Sequence, residues 1–175
     1  MIKVGPSGSC TTTASNKNKP WDDIEKAEGG QCSRIYISYD SGGIRSIQCA
    51  YMVGTTVVVS EKHGYVGKTA NHFHSIILDY PSEYITSITG YYGYTYVSNY
   101  NCIKSITFGT NGRTYGPYGS AEKDYSFSMT FGFGEFLGFH GYADDSYITA
   151  VGAYLKPYVG PSTSTAALIK SEPVG

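Results

Sequence analysis

An all-β domain of antiparallel strands is the fold class this sequence predicts, and three observations lead there. The 175 residues include 18 tyrosines and 22 glycines but one tryptophan, with 15% charged residues, a composition that suits short strands joined by tight turns. Period-two alternation is clean in Ile35, Ile37 and Tyr39 and again in Tyr125, Phe127, Met129 and Phe131, which marks sheets with one buried face. Turn signals recur roughly every 10 residues. A sandwich, a barrel and a prism all satisfy these observations.

In chain order the strand candidates are Ile35 to Tyr39, Ile44 to Val53, Thr56 to Ser60, His74 to Leu78 and Tyr84 to Tyr92, followed by Ile103 to Phe108, Asp124 to Thr130, Glu135 to His140 and Tyr147 to Tyr154. Each is rich in β-branched or aromatic residues, and turn residues separate them. Only Trp21 to Ala27 suits a turn of helix, which Gly29-Gly30 would end. Ser7 to Lys19 is polar and reads as a loop. Tyr158 to Gly175 lacks alternation and contains Pro161 and Pro173, so a domain over residues 1–157 and a flexible tail over 158–175 are expected.

One domain of this length buries a sizeable core. Its net charge of -1 leaves no excess of Lys and Arg to neutralise phosphates, so nucleic acid is not an expected partner. No apolar stretch approaches the ~20 residues that span a bilayer, and no membrane insertion is expected. The start, MIKVGPSGS, lacks the pattern of a secretory signal, which leads to the expectation of a cytoplasmic protein. Cys10, Cys32, Cys49 and Cys102 have no zinc-site spacing. Cys49 and Cys102 fall in strand-like runs as buried thiols, whereas Cys10 and Cys32 flank a polar segment and are candidates for a disulfide.

Catalysis finds no support. There is no GxSxG elbow, no HExxH and no phosphate-cradling glycine loop, and Glu83, Glu122 and Glu135 are scattered along the chain. His72 and His74 share one side of an extended segment but lack a third ligand, and Asp144-Asp145 supplies too few oxygens for calcium. No metal or other cofactor is expected.

The segment Gly138 to Pro157 is the most informative. Two strand-like runs flank a short acidic loop, Tyr142 to Ser146, in the manner of a hairpin with an exposed tip. Binding functions concentrate on such tips. Nearby tyrosines, among them Tyr91, Tyr92, Tyr94, Tyr96, Tyr100 and Tyr142, either offer ring faces to a sugar or fill the sheet as half-buried strand residues. His140 stands just before the tip, where its ring can support the loop.

The runs YPSEYITSITGYYG (Tyr80–Gly93), SITFGTNGRTYGPYG (Ser105–Gly119), GFHG (Gly138–Gly141) and YITAVGAYLKP (Tyr147–Pro157), together with WDD at Trp21–Asp23, resemble the jacalin-related lectins. The similarity runs in order over about residues 2 to 157. It implies a β-prism I, three four-stranded antiparallel sheets about a pseudo-threefold axis. It further implies a non-enzymatic, metal-free carbohydrate-binding protein that often forms homo-oligomers. The uncleaved chain, with Gly5 inside it, is more similar to the cytoplasmic mannose/glucose-binding branch, found mostly in plants. Mono- and oligosaccharides or glycoproteins are then the expected ligands.

The resemblance also implies where sugar binds: at three loops on one end of the prism. They correspond to Gly5–Ser9 with Gly8, to Tyr91–Asn99 with Tyr96, and to the tip with Gly141, Tyr142, Ala143, Asp144, Asp145, Ser146, Tyr147 and Thr149. The family tip has the pattern GxxxD, whose carboxylate accepts two sugar hydroxyls in charge-assisted bonds. This chain departs from it. Aligned on AVGAYL, the Asp position is Thr149 and the Gly position is Asp145, while a literal GxxxD lies four residues early at Gly141–Asp145. Two readings follow. In one, Asp144 or Asp145 takes over the carboxylate role; in the other, the prism has lost sugar binding and serves as a protein-interaction or defence module.

Overall fold

The computed structural model describes residues 1–13, 16–68 and 71–159. Strands β1 (Ile2–Gly8) and β2 (Lys19–Asp22) precede a one-turn helix α1 (Ile24–Ala27). Then come β3 (Gln31–Asp40), β4 (Gly43–Val53), β5 (Thr56–Val59), β6 (His63–Gly64) and β7 (His72–Ile77). The second half adds β8 (Ile85–Thr95), β9 (Tyr100–Thr110), β10 (Thr114–Gly119), β11 (Tyr125–Thr130), β12 (Gly134–Ala143) and β13 (Ile148–Pro157). All pairings among them are antiparallel.

The strands form three sheets, ordered β1-β13-β12-β2, β10-β9-β8-β11 and β5-β4-β3-β7. Each has a long central hairpin flanked by two shorter strands, and this repeat is the pseudo-threefold of a β-prism I. The third sheet has five strands rather than four, because β6 also pairs with β4. Alternation explains how the sheets close. Ile35 and Ile37 from β3, Ile47 and Tyr51 from β4, Ile88 from β8, Ile106 and Phe108 from β9, and Phe139 and Val151 from the first sheet all turn inward and are fully buried. Each such side chain contributes about 1.5–3 kcal/mol of burial. Phe108 and Phe139 meet edge to face at 5.8 Å, joining two sheets across the core.

Several sequence expectations are corrected. Gly5–Ser9 is not a loop, since all but Ser9 belongs to β1, which pairs with β13 from Ile2↔Leu155 to Gly8↔Ala150. Ser7–Lys19 is accordingly shorter as a loop, and Trp21 lies in β2 rather than in the helix. The unanticipated β10 is a flanking strand interrupted by Gly116-Pro117, which suits an edge but hides it from pattern reading. All four cysteines are free thiols, Cys10 exposed and the others buried, so the Cys10–Cys32 pairing does not form. His72 and His74 pack against the rings of Tyr39 and Tyr118. Tyr158 and Val159 are exposed, and the rest of the expected tail, 160–175, lies outside the described residues.

At the end away from the hairpin tips, buried Glu83 ties two sheet-2 connections together. Its carboxylate accepts from the Asp79 amide (2.9 Å), the Thr110 hydroxyl (2.8 Å) and the Tyr115 hydroxyl (3.0 Å), with Arg113 Nε 3.2 Å away.

Candidate functional site

The three central hairpins turn at the same end, and hydrogen bonds tie their tips into a ring. From the β12–β13 tip, the Tyr147 hydroxyl donates to the Asp40 carboxylate on the β3–β4 tip at 3.2 Å. From the β8–β9 hairpin, Cys102 Sγ donates to the Gly42 carbonyl at 3.7 Å. Closing the ring, the hydroxyls of Ser98 and Tyr100 donate to Asp144 Oδ2, the latter at 2.7 Å. Burial, and then the Asp144 carboxylate beside it, pushes the Tyr100 hydroxyl well above the usual tyrosine range.

Asp144 is the keystone of the acidic tip. Its Oδ1 accepts the backbone amides of Ser146 and Tyr147, each at 2.7 Å, while Oδ2 takes the two hydroxyls. A carboxylate offers about four lone-pair sites, and here all four are engaged inside the protein. With Asp144 only 9% exposed, its role is to shape the loop. Asp145 is the opposite case. It projects into solvent and meets Lys17 Nζ at 3.0 Å, an exposed pair that contributes little to stability and leaves both groups open to a ligand. That neighbouring carboxylate raises the Lys17 pKa.

Between the tip and residues 9–13 with 16–17 lies a polar cleft of about 670 Å³. Ser9, Thr11, Thr13, Asn16 and Lys17 form one wall; Val97, Ser98, Asn99 and Tyr100 form another; Asp144, Asp145 and Ser146 form the third. Of the residues singled out at the tip, Asp144, Asp145 and Ser146 line this cleft, together with Ser9 and Val97–Asn99 from the other two expected loops and Tyr100 from the tyrosine candidates.

The other expected residues act differently. Thr149 is completely buried and donates to Asn18 Oδ1 at 2.5 Å, while Asn18 Nδ2 reaches the carbonyls of Ser9 (3.1 Å) and Thr11 (3.2 Å). Thr149 therefore anchors the first wall. Gly8 lets β1 press onto β13, because a Cβ there would overlap the Thr149 carbonyl. Gly141, Tyr142 and Ala143 are β12 residues paired to β13 and β2. Tyr147 is buried under the tip with Arg45 over its ring. Tyr96 stands exposed at the β8–β9 turn, edge-on to Tyr94. His140 donates from Nε2 to the Val4 carbonyl at 3.0 Å, supporting β1 rather than the tip. Sequence reasoning missed Asn16, Lys17 and Asn18, while Ser98 and Asn99 fell within the expected loop Tyr91–Asn99 without being singled out. The polar run Thr11–Asn18 was visible, but nothing in it signalled contact with a loop more than a hundred residues away.

The family model described as "Jacalin-like lectin domain" matches residues 10–154. Protein RESTRICTED TEV MOVEMENT 1 of Arabidopsis thaliana is 38% identical over 161 residues, covering 89% of this chain and 87% of that protein. Jacalin-related lectin 2 of the same plant is 34% identical over 172 residues, covering 94% and 91%. Among solved structures, a mannose-specific jacalin-related lectin from Morus nigra in complex with mannose superposes with a TM-score of 0.74 at 28% identity, covering 89% of this chain and 94% of that one.

Proposed function

Because the chain belongs to the jacalin-like lectin domain family, we propose that it is a non-enzymatic lectin that holds mannose- or glucose-type glycans in the polar cleft at the prism end. The observation that carries this reading is the division of labour at the tip: Asp144 is spent on holding the loop, and Asp145 is left open on the cleft. Asp145, Lys17 and the Ser146 hydroxyl then supply acceptors and donors to sugar hydroxyls. A shallow site of this kind is weak, and a millimolar site is worth only ~4 kcal/mol. Useful strength comes from several sites on a homo-oligomer meeting a multivalent glycan. Exposed Val57, Val59, Phe73 and Ile77, which alternation sets on the outer face of the third sheet, support such self-association. Four free thiols fit a reducing, cytoplasmic location.

A glycan array of the purified protein tests the cleft directly. Signal on mannose-type glycans is expected, and Asp145→Ala lowers it at least tenfold without changing the melting temperature by more than a degree or two. A second reading, a protein-interaction or defence module, is favoured by one observation: the position where the family carries its carboxylate holds a buried threonine bonded to Asn18. A parent protein blank across the array would sink the lectin reading and leave that one.

A further inference from the structure

On the other side of the β8–β9 turn from the cleft lies a second, open depression of about 540 Å³, lined by Tyr92, Tyr94, Asn101, Asp124 and Tyr125. We propose that it is a separate saccharide site, built for the ring of a neutral pyranose. It goes beyond the prism-end reading and does not depend on it.

The strand register assembles this site. Tyr92 and Tyr125 are direct cross-strand partners of β8 and β11, and their rings stack at 5.4 Å with 28° between planes. Tyr94 lies two residues on along the same side of β8, and Asn101 is its partner on β9. Because β11 begins at Tyr125, the stretch Gly93–Thr95 has no strand beside it on that side, and this gap is the depression. Gly93 leaves room for an acid there, since a Cβ on it would overlap the Asp124 carboxylate.

The chemistry matches a sugar. Tyr94 is 47% and Tyr125 is 58% exposed, far more than paired strand tyrosines need to be. They offer apolar ring surface to the C–H side of a pyranose; the Tyr94 hydroxyl donates to Asn99 Oδ1 at 3.2 Å, and the Tyr125 hydroxyl stands at the rim. Among the described residues, neither the Asp124 carboxylate nor the Asn101 amide has a hydrogen-bond partner in the protein, in contrast to the saturated Asp144. An open acceptor and an amide beside aromatic faces are the few convergent polar groups that orient a ligand. Asp124 repels anionic sugars. A quaternary ammonium also suits tyrosines and an acid, but the depression is open and its rings do not enclose a cation, whereas a pyranose chair needs only one apolar C–H face against a tyrosine.

The test is a titration of isotope-labelled protein followed by NMR, with methyl glycosides of mannose, glucose, galactose and N-acetylglucosamine, a mannose pentasaccharide, and tetramethylammonium as the rival probe. At least one neutral sugar is expected to shift the ring signals of Tyr94 and Tyr125 and the amides of Asn101 and Asp124. Asp124→Asn and Tyr125→Ala weaken that response at least fivefold, while their melting curves show that the fold is intact. Shifts confined to Lys17, Asp145 and Ser146 would overturn the flank site and leave the end cleft standing. Shifts confined to the flank would do the reverse. A flank response to tetramethylammonium alone, or to no probe, overturns the proposal.

Discussion

Two carboxylates one residue apart, Asp144 and Asp145, have opposite fates, and sequence gave no basis for separating them. Their difference arises from Ser98 and Tyr100, which come from another hairpin and claim Asp144. Asp144→Ala would strand the buried amide of Tyr147 and two hydroxyls, so a loss of about 2–4 kcal/mol is expected from urea unfolding. Asp145→Ala, by comparison, should change stability by less than about 0.5 kcal/mol. Glu83 makes part of the fold's stability depend on pH. Burial opposes its charge, but hydrogen bonds from Asp79, Thr110 and Tyr115 and the Arg113 cation outweigh burial and lower its pKa. A group depressed in the folded state contributes stability above its unfolded pKa, about 4.3 for Glu, and that contribution is lost as pH falls through the folded value. The stability gap between parent and Glu83→Gln, measured by urea midpoints from pH 7 downward, should therefore be widest near neutrality and shrink below about pH 4.

At the scale of elements, the long central hairpins were legible because alternation of large apolar residues sets their inner faces. Ile35 and Ile37 on β3 point where that pattern puts them, and so do Phe127 and Met129 on the flanking strand β11. The strands that escaped notice are flankers whose sequences are interrupted, as in Ile2–Gly8, with Gly5-Pro6 in its middle, and Thr114–Gly119, with Gly116-Pro117. Their strand state comes from a neighbour's open edge rather than from propensity. Gly8 shows how tight that dependence is. Its φ of +117° disfavours any side chain, and a Cβ would overlap a β13 carbonyl, so both strain and collision oppose substitution. Gly8→Ala should cost about 2–4 kcal/mol and speed hydrogen exchange along Ile2–Gly8, where the β1–β13 ladder opens first.

Across the whole molecule, the site is a property of closure. No single segment contains the cleft, because its walls come from three regions of the chain that only the prism brings together. The outer faces are less uniform than the core. Phe73 and Ile77 on β7, with Val57 and Val59 on β5, leave the third sheet the most apolar on its outside. The proposed self-association predicts that replacing Phe73 with Ser shifts sedimentation velocity profiles toward monomer while raising solubility. An unchanged association state would remove that face from the assembly.

The sheet order β1-β13-β12-β2 joins the first two strands of the fold to its last two. On a ribosome, the other two sheets can be complete while β1 and β2 still wait, unpaired, for partners that lie more than a hundred residues after them in the chain. Asn18 meets Thr149, and Lys17 meets Asp145, only when that final hairpin emerges. The end cleft therefore takes shape with the last stretch of synthesis, and a nascent or prematurely ended chain has no partial version of it.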